Sequence, residues 1–435
     1  MKKFLTASGF LLFILVNVAG AASPLDLKTC LKLALARYPR LKALAARSKA
    51  YEARFKAAEK DLWPWLSWRY RYTRLRDRQK IVILGHDVPL SSYEMVENDL
   101  VLEAPLFHGL SLRIKKRLAA LEADIARVEE KRGRQEIAFL VKKAYFSLLT
   151  AKHHLREARK SLDRLKAHLK IVKAYYEEGL VAKHQVLASE VALSEAEHVL
   201  ILAKNRVKLA KSRLNMLLDR PFEAPLEVVD VLEHPLPVVN PLAYYQEEAR
   251  RLRPELEVAR MTCLKAREKI KLARAAYYPQ LDLVAAYQRR GTDLLASQDP
   301  YWDRENFSVS FNLELLLWDW GKRKQEVAAA RAEALAREAL LRELEKEVSL
   351  EVEEAYLALT AAYQRLQVAK RALHHAQENF LLEKARFKEG LAESADVLDA
   401  EAFLAAAEAR YTEALSDLHL SQARLLFAIG KDPLP

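Results

Sequence analysis

Two windows of the 435-residue chain lack proline, residues 106 to 220 and 301 to 432, and both carry a seven-residue apolar period. In the second window Val352, Leu359, Leu366, Leu373, Phe380 and Phe387 recur at strict sevens, with Ala355, Ala362, Ala369 and Ala376 three positions later. The first window does the same with Val141, Leu148, Leu155, Leu162, Leu169 and Tyr176 beside Ala144, Ala151 and Ala158. After each Glu-Gly-Leu triplet a second run begins, at Val186, Leu193, Leu200, Val207 and Leu214 and again at Val397, Leu404, Tyr411, Leu418 and Leu425. A period of seven held this long predicts left-handed coiled coil, and alternating a large residue with alanine lets the helices approach closely. Residues 111 to 178 and 322 to 389 are therefore expected as helices, each roughly 100 Å long at 1.5 Å per residue. Return helices are expected over 181 to 218 and 392 to 429, and shorter ones over about 40 to 62 and 255 to 277.

The chain is two copies of one unit. Tyr38-Pro39-Arg40-Leu41 reappears as Arg253-Pro254-Glu255-Leu256 and Trp63-Pro64-Trp65-Leu66 as Tyr278-Pro279-Gln280-Leu281, both shifted by 215 residues. The Glu178-Gly179-Leu180 and Glu389-Gly390-Leu391 triplets are related by a shift of 211. The expected organisation is a leader over 1–22, a first repeat over 23–219, a linker over 220–241 holding Pro221, Pro225, Pro235, Pro237 and Pro241, and a second repeat over 242–435. Nearly all other glycines also fall where periodicity breaks; Gly133 alone lies inside a helical run.

Between short and long helices the period switches to two. Leu66, Trp68, Tyr70 and Tyr72 alternate with Ser67, Arg69, Arg71 and Thr73, and Phe307, Val309, Phe311, Leu313 and Leu315 alternate with Ser308, Ser310, Asn312 and Glu314. Leu281, Leu283, Ala285 and Tyr287 make a third stripe, and Leu100, Leu102, Ala104 and Leu106 a fourth. These predict strands over about 66–74, 97–106, 281–289 and 306–317, each apolar on one face, as lipid outside and water inside require. Residues 1–22 read as a secretory signal: Lys2 and Lys3, an apolar run from Phe10 to Val18, then Ala19-Gly20-Ala21-Ala22. No later stretch approaches the roughly 20 apolar residues of a spanning helix, so a membrane crossing would have to be a β-barrel. Four strands cannot close one, since about eight is the practical minimum in a membrane. At least two chains must cooperate, and the arithmetic leaves two, three or four open.

These features resemble the TolC family of outer-membrane efflux proteins over essentially the whole mature chain. The carrying residues are Ala104-Pro105-Leu106-Phe107-His108-Gly109 at the strand-to-helix junction, the two Glu-Gly-Leu turns, and Asp396-Val397-Leu398-Asp399-Ala400 after the second turn. The resemblance implies a mainly α chain with a β-barrel part. Three copies would give a 12-stranded outer-membrane β-barrel, continued by long antiparallel coiled-coil helices forming a periplasmic α-barrel. It implies a passive exit duct of a tripartite efflux pump or type I secretion system, without cofactor. The partners implied are two further copies of the chain, a periplasmic adaptor, an inner-membrane transporter and outer-membrane lipid. It also implies that Asp396 and Asp399 form a carboxylate ring at the periplasmic aperture. The turns Gly179-Leu180 and Gly390-Leu391 would meet the adaptor. The sequence departs from the family pattern at Ala392, where an arginine is expected, at Phe387, where a tyrosine is expected, and at Leu316, which stands in the place of Pro105.

Other classes fit less well. His153-His154 and His374-His375 are adjacent pairs that point in different directions on a helix and cannot form an i, i+4 metal face. No nucleophile elbow, phosphate loop or zinc spacing is present, so neither an enzyme nor a metal site is expected. The run Trp68-Arg69-Tyr70-Arg71-Tyr72 could suggest nucleic-acid stacking, but strict alternation behind an export signal favours a strand and no nucleic-acid partner. A net charge of +12 reads first as solvated helix surface, with Lys and Arg against lipid phosphates or a partly basic tunnel lining as the alternatives. Cys30 and Cys263 are too few for a disulfide framework. The alternative reading is a non-channel periplasmic coiled-coil adaptor or tether, which shares the heptads but has no use for the amphipathic strands.

Overall fold

The computed structural model describes residues 24–233, 239–298 and 303–431; the leader at 1–22 and part of the proline-rich linker lie outside them. The chain divides into two compact units. The first lies within Met1–Ala34, Val141–Pro235 and Ala369–Ser416, the second within Leu35–Leu140, Leu236–Val368 and Asp417–Pro435. Each unit therefore draws on both sequence repeats, because the long helices run through both.

Those helices, α3 (Ser111–Glu177) and α7 (Lys322–Lys388), have 67 residues each, and their return helices α4 (Lys183–Leu217) and α8 (Ser394–Ala428) have 35 each. Short helices α1 (Leu27–Arg37) and α2 (Pro39–Lys60) open the first repeat, and α5 (Leu242–Leu252) and α6 (Pro254–Ala275) open the second. Both α2 and α6 begin with proline, whose missing N–H is spared at a helix start. The sequence reading missed α1 and α5. The signal for α1 was available in Asp26, whose carboxylate accepts the Thr29 N–H at 2.8 Å.

In the second unit the strands β1 (Trp65–Arg74), β2 (Lys80–Ile83), β3 (His86–Pro89), β4 (Glu94–His108), β5 (Gln280–Gly291) and β6 (Glu305–Glu314) form two sheets. The larger is antiparallel in the order β1-β4-β5-β6. Leu66 lies opposite Leu102, Leu102 opposite Ala285, and Ala285 opposite Val309; Trp68, Leu100, Tyr287 and Phe307 make the next row. Opposite residues share a face, so the four sequence stripes merge into one continuous apolar surface. The other face carries rows such as Arg69, Asp99, Gln288 and Asn306, with Arg71 on Glu97 at 3.2 Å.

Two strand ends differ from expectation. The pairing shifts between Pro105 and Phe107, so Phe107, not Leu106, lies opposite Leu281 and continues the apolar face. Proline cannot donate to a ladder and is tolerated where pairing has slipped. Strand β6 stops at Glu314 rather than reaching 317. Its successors Leu315, Leu316 and Leu317 break the alternation, and the chain then turns into α7 at Asp319, whose carboxylate accepts the N–H groups of Gly321 (3.1 Å) and Arg323 (3.0 Å). The hairpin β2–β3 was also not foreseen; its turn is Leu84-Gly85, both residues at positive φ as a two-residue hairpin turn demands.

The core of this second unit joins α5, α6, α7 and α8 through Tyr245, Leu256, Val352, Leu359 and Leu425. Gly133 is explained by close packing of α2 on α3. A Cβ there would collide with Leu44 Cδ1.

In the first unit, Leu169 and Val172 of α3, Val186 of α4, Phe380 and Phe387 of α7, and Val397, Ala400 and Leu404 of α8 form one cluster beside the two turns. These are largely the heptad positions, and complete burial of each large side chain is worth about 1.5–3 kcal/mol. Among the described residues no helix is long and apolar enough to cross a membrane.

Candidate functional site at the paired helix turns

Both long helices end in the same way. Gly179 and Gly390 have φ +74°, open space surrounds the position a Cβ would take, and the conformation itself is what selects glycine. Leu180 N–H donates to Tyr175 O and Leu391 N–H to Arg386 O, each at 2.8 Å, while Gly179 N–H reaches Tyr176 O at 3.0 Å and Gly390 N–H reaches Phe387 O at 3.1 Å. This is the double hydrogen bond of a Schellman cap, which usually brings a hydrophobic contact with it. Here the leucines after the glycines stay 66% and 65% exposed. They do not staple their turns. The two turns are tied to each other by the Tyr175 hydroxyl, which donates to Lys388 O at 3.2 Å.

Beyond the second turn, Asp396 and Asp399 lie on one exposed face of α8. The Asp396 carboxylate accepts the Glu393 N–H at 2.9 Å, and the Asp396 N–H returns to Glu393 O at 3.2 Å. Asp396 thus supplies one half of a capping box at the first turn of α8, the other bond going to the Glu393 backbone oxygen. Asp399 makes no hydrogen bond or ion pair among the described residues and projects its charge to solvent. Phe387, without a tyrosine's hydroxyl, packs between His168 and Tyr175 with ring centroids 5.1 and 5.6 Å away. Ala392 packs at the edge of the same cluster.

Sequence reading missed the polar groups beneath these turns. His168 of α3 is buried, and its Nε2 lies 2.8 Å from Ser394 Oγ; Ser189 Oγ stands 3.2 Å from the same hydroxyl and donates to Gln185 O at 2.9 Å. Burial, reinforced by the Lys384 charge, pushes the His168 pKa down to about 4. The imidazole is therefore neutral at ordinary pH. No heptad argument could have found this cluster, because it joins residues of three helices. The cysteines are free and buried; burial pushes the Cys30 thiol up to about 11 and raises that of Cys263 as well.

A duplicated pair of coiled-coil arms attached to a sheet with one apolar face defines a class of membrane-associated export protein, and comparison with known proteins places this chain in it. The family model described as outer membrane efflux protein matches residues 30–219 and 246–431, and the chain belongs to that family. Protein CyaE of Bordetella pertussis is 24% identical over 289 residues, covering 66% of this chain and 60% of that one. The probable efflux pump outer membrane protein SepC of Pseudomonas putida is 25% identical over 319 residues, 72% of this chain and 64% of its own. The chain is thus matched to less than two thirds of the length of these relatives. The structure of the outer membrane protein VceC from Vibrio cholerae superposes with a TM-score of 0.80 at 18% identity, covering 93% of this chain and 96% of that one. The family is one of outer-membrane channel and export proteins rather than enzymes, and the chain's location is the outer membrane.

The His168 pKa sets a pH dependence. An unfolded histidine takes up its proton near pH 6.5 but the folded one only near pH 4. Stability from this residue is complete above pH 6.5, falls as the unfolded state gains the proton, and levels off below pH 4, by at most about 3 kcal/mol. Denaturant titrations from pH 7 to pH 4 should show a shallower loss for His168→Gln than for the unaltered chain. Identical slopes would mean that the imidazole is protonated in the folded state.

Proposed function

We propose that the chain is one of three identical subunits of an outer-membrane exit duct, serving a tripartite efflux pump or a type I secretion system. Three copies of the sheet make a 12-stranded barrel, and the long helices continue it into the periplasm as an α-barrel. Each chain would consist of a leader over 1–22, efflux repeats over 23–219 and 242–435, and a proline-rich linker over 220–241 between them.

The observation that carries this reading is the four-stranded sheet whose outer strands, β1 and β6, are each paired on one side alone, while one face is apolar across its whole width. In lipid an unpaired strand edge leaves amide groups without partners, at several kcal/mol each, so the edges must find one another on neighbouring copies. At 10 residues, β1 and β6 have the length that a tilted strand needs to cross. The chain should leave its membrane with detergent and not with carbonate, and the solubilised particle should have the mass of three chains. A stable monomer, or release by carbonate, would discard the duct in favour of a peripheral coiled-coil tether.

The turns are assigned to the periplasmic tip. Leu180 and Leu391 are exposed apolar side chains on glycine-capped turns, suited to meeting the helices of a periplasmic adaptor coupled to an inner-membrane transporter. Replacing both leucines with glutamate should abolish export while the trimer persists. Export at the normal rate would remove the turns from the docking surface.

Asp396 and Asp399 are assigned to the aperture, where three copies would gather six carboxylates near the axis. Rings of carboxylate favour cations and bind multivalent ones. The two would differ in task, since the Asp396 carboxylate also accepts the Glu393 N–H at the start of its helix, whereas Asp399 has no hydrogen bond or ion pair among the described residues. In planar bilayers Asp399→Asn should weaken cation preference and divalent block with little loss of stability, and Asp396→Asn should in addition destabilise α8 by about 0.5–2 kcal/mol. Unchanged selectivity in the double variant would place the aperture elsewhere.

A further inference from the structure

A groove of about 510 Å³ runs between α3, α4 and α8 in the first unit, away from the turns. Its walls are mostly apolar, with Leu165, Ala192, Val199, Leu398 and Ala405 among them. Set into those walls are the carboxylates Glu157, Glu195, Glu401, Glu408 and Glu413 and the guanidinium of Arg206.

Part of this charge is internally committed. Arg164 donates to Glu401 Oε2 at 2.7 Å and to both oxygens of Glu408 at 3.0 and 3.4 Å. Glu157 accepts from the Thr412 hydroxyl and pairs with His154 at 3.2 Å. Even with Arg164 and Arg206 counted against them, the carboxylates remain in excess.

Glu401 is the residue left unsettled. It is 3% exposed, and its Oε1 completes no hydrogen bond among the described residues although the side chain borders the groove. Burial, with the neighbouring Glu408 charge, pushes its pKa up even though Arg164 and the Ser161 hydroxyl at the groove wall act the other way. A buried carboxylate oxygen without a full set of partners keeps part of its desolvation cost, and a positive group placed in the groove would offset it.

We propose that the groove between α3, α4 and α8 binds a lipophilic organic cation. The volume is that of a drug-sized ligand rather than of an ion. No group of three or more potential metal ligands is clustered among the described residues, and a hydrated metal ion would gain nothing from walls of alanine, leucine and valine. A neutral hydrophobe would gain from the walls but leave the excess carboxylates without a counter-charge. An apolar body carrying one positive centre uses both features, its charge directed toward Glu401 and its body against the alanines of α8.

The probe is tetraphenylphosphonium, with tetraphenylborate as the anion of the same shape. Equilibrium dialysis against the full mature chain in neutral maltoside micelles, corrected with empty micelles, should give one site per chain that prefers the phosphonium at least tenfold. Glu401→Gln should weaken that binding at least tenfold. Ala402 is an exposed groove residue of α8, so Ala402→Trp blocks the space without touching the core or the charges and should remove the site. Tetraphenylborate bound equally well, no saturable binding by the unaltered chain, or affinity unchanged in both variants would overturn the proposal. If Glu401→Gln fails to fold, Ala402→Trp alone decides. The experiment reads binding and not export, so its result stands apart from that of the duct assignment.

Discussion

A β-strand in hydrocarbon has no water to satisfy its free edge, and this constraint organises the whole chain. The sheet β1-β4-β5-β6 has an apolar face assembled from stripes that lie up to about 240 residues apart in sequence, as Trp68 and Phe307 do. Such a face is costly in water and useful in lipid, but lipid is habitable only if β1 and β6 are paired. The duplication meets this by supplying two hairpin partners per chain, and further copies would supply the remainder. Each repeat contributes one outer and one inner strand, so the pairing of β4 with β5 is the seam between the repeats.

The helices obey a different rule. A heptad of large residues beside alanines brings backbones close, and burial follows the pattern where four helices meet: Val397, Ala400 and Leu404 of α8 are almost wholly covered. Along the middle of α7, Leu366 and Leu373 are only half-buried, which leaves apolar surface on the arm for neighbouring subunits in the proposed trimer. Where the seam is interrupted, the interior turns polar, with His168, Ser189 and Ser394 near the turns and Arg164 between two glutamates further along. Buried groups of this kind stabilise little unless every partner is in place, and one oxygen of Glu401 is not.

Periodicity made the large elements legible. Sevens located α3, α4, α7 and α8, twos located the four strands of the main sheet, and the exposed leucines of the turns followed from glycine placement. Besides the short helices α1 and α5, too brief for a heptad to register, what escaped depends on an interruption or on meeting across helices. The slip at Leu106 moves one apolar position to Phe107 without changing composition, and Leu315–Leu317 read as a strand because the apolar run continues up to the point where Asp319 begins to cap the next helix. The β2–β3 hairpin is too short for a period to register. His168 and Glu401 look like ordinary polar residues on helix faces; only the packing of α3 against α8 makes one a buried neutral imidazole and the other a buried carboxylate.

The duplicated turns show how copies with one geometry acquire different chemistry. Positions 185 and 396 are equivalent under the shift of 211, and both stand in the first turn of a return helix. In the second repeat Asp396 bends back to the Glu393 N–H of its own turn. In the first repeat the equivalent Gln185 leaves Ala182 without a side-chain cap and directs its Oε1 toward the Ser394 N–H of the other repeat at 3.5 Å. The longer amide reaches across and carries no charge; the shorter carboxylate stays local and does. Helix α4 is therefore held at its start by its neighbours, and α8 additionally by its own carboxylate. Formal charge enters these equivalent positions only through the second copy, so the carboxylate pair proposed for the aperture belongs to α8 alone.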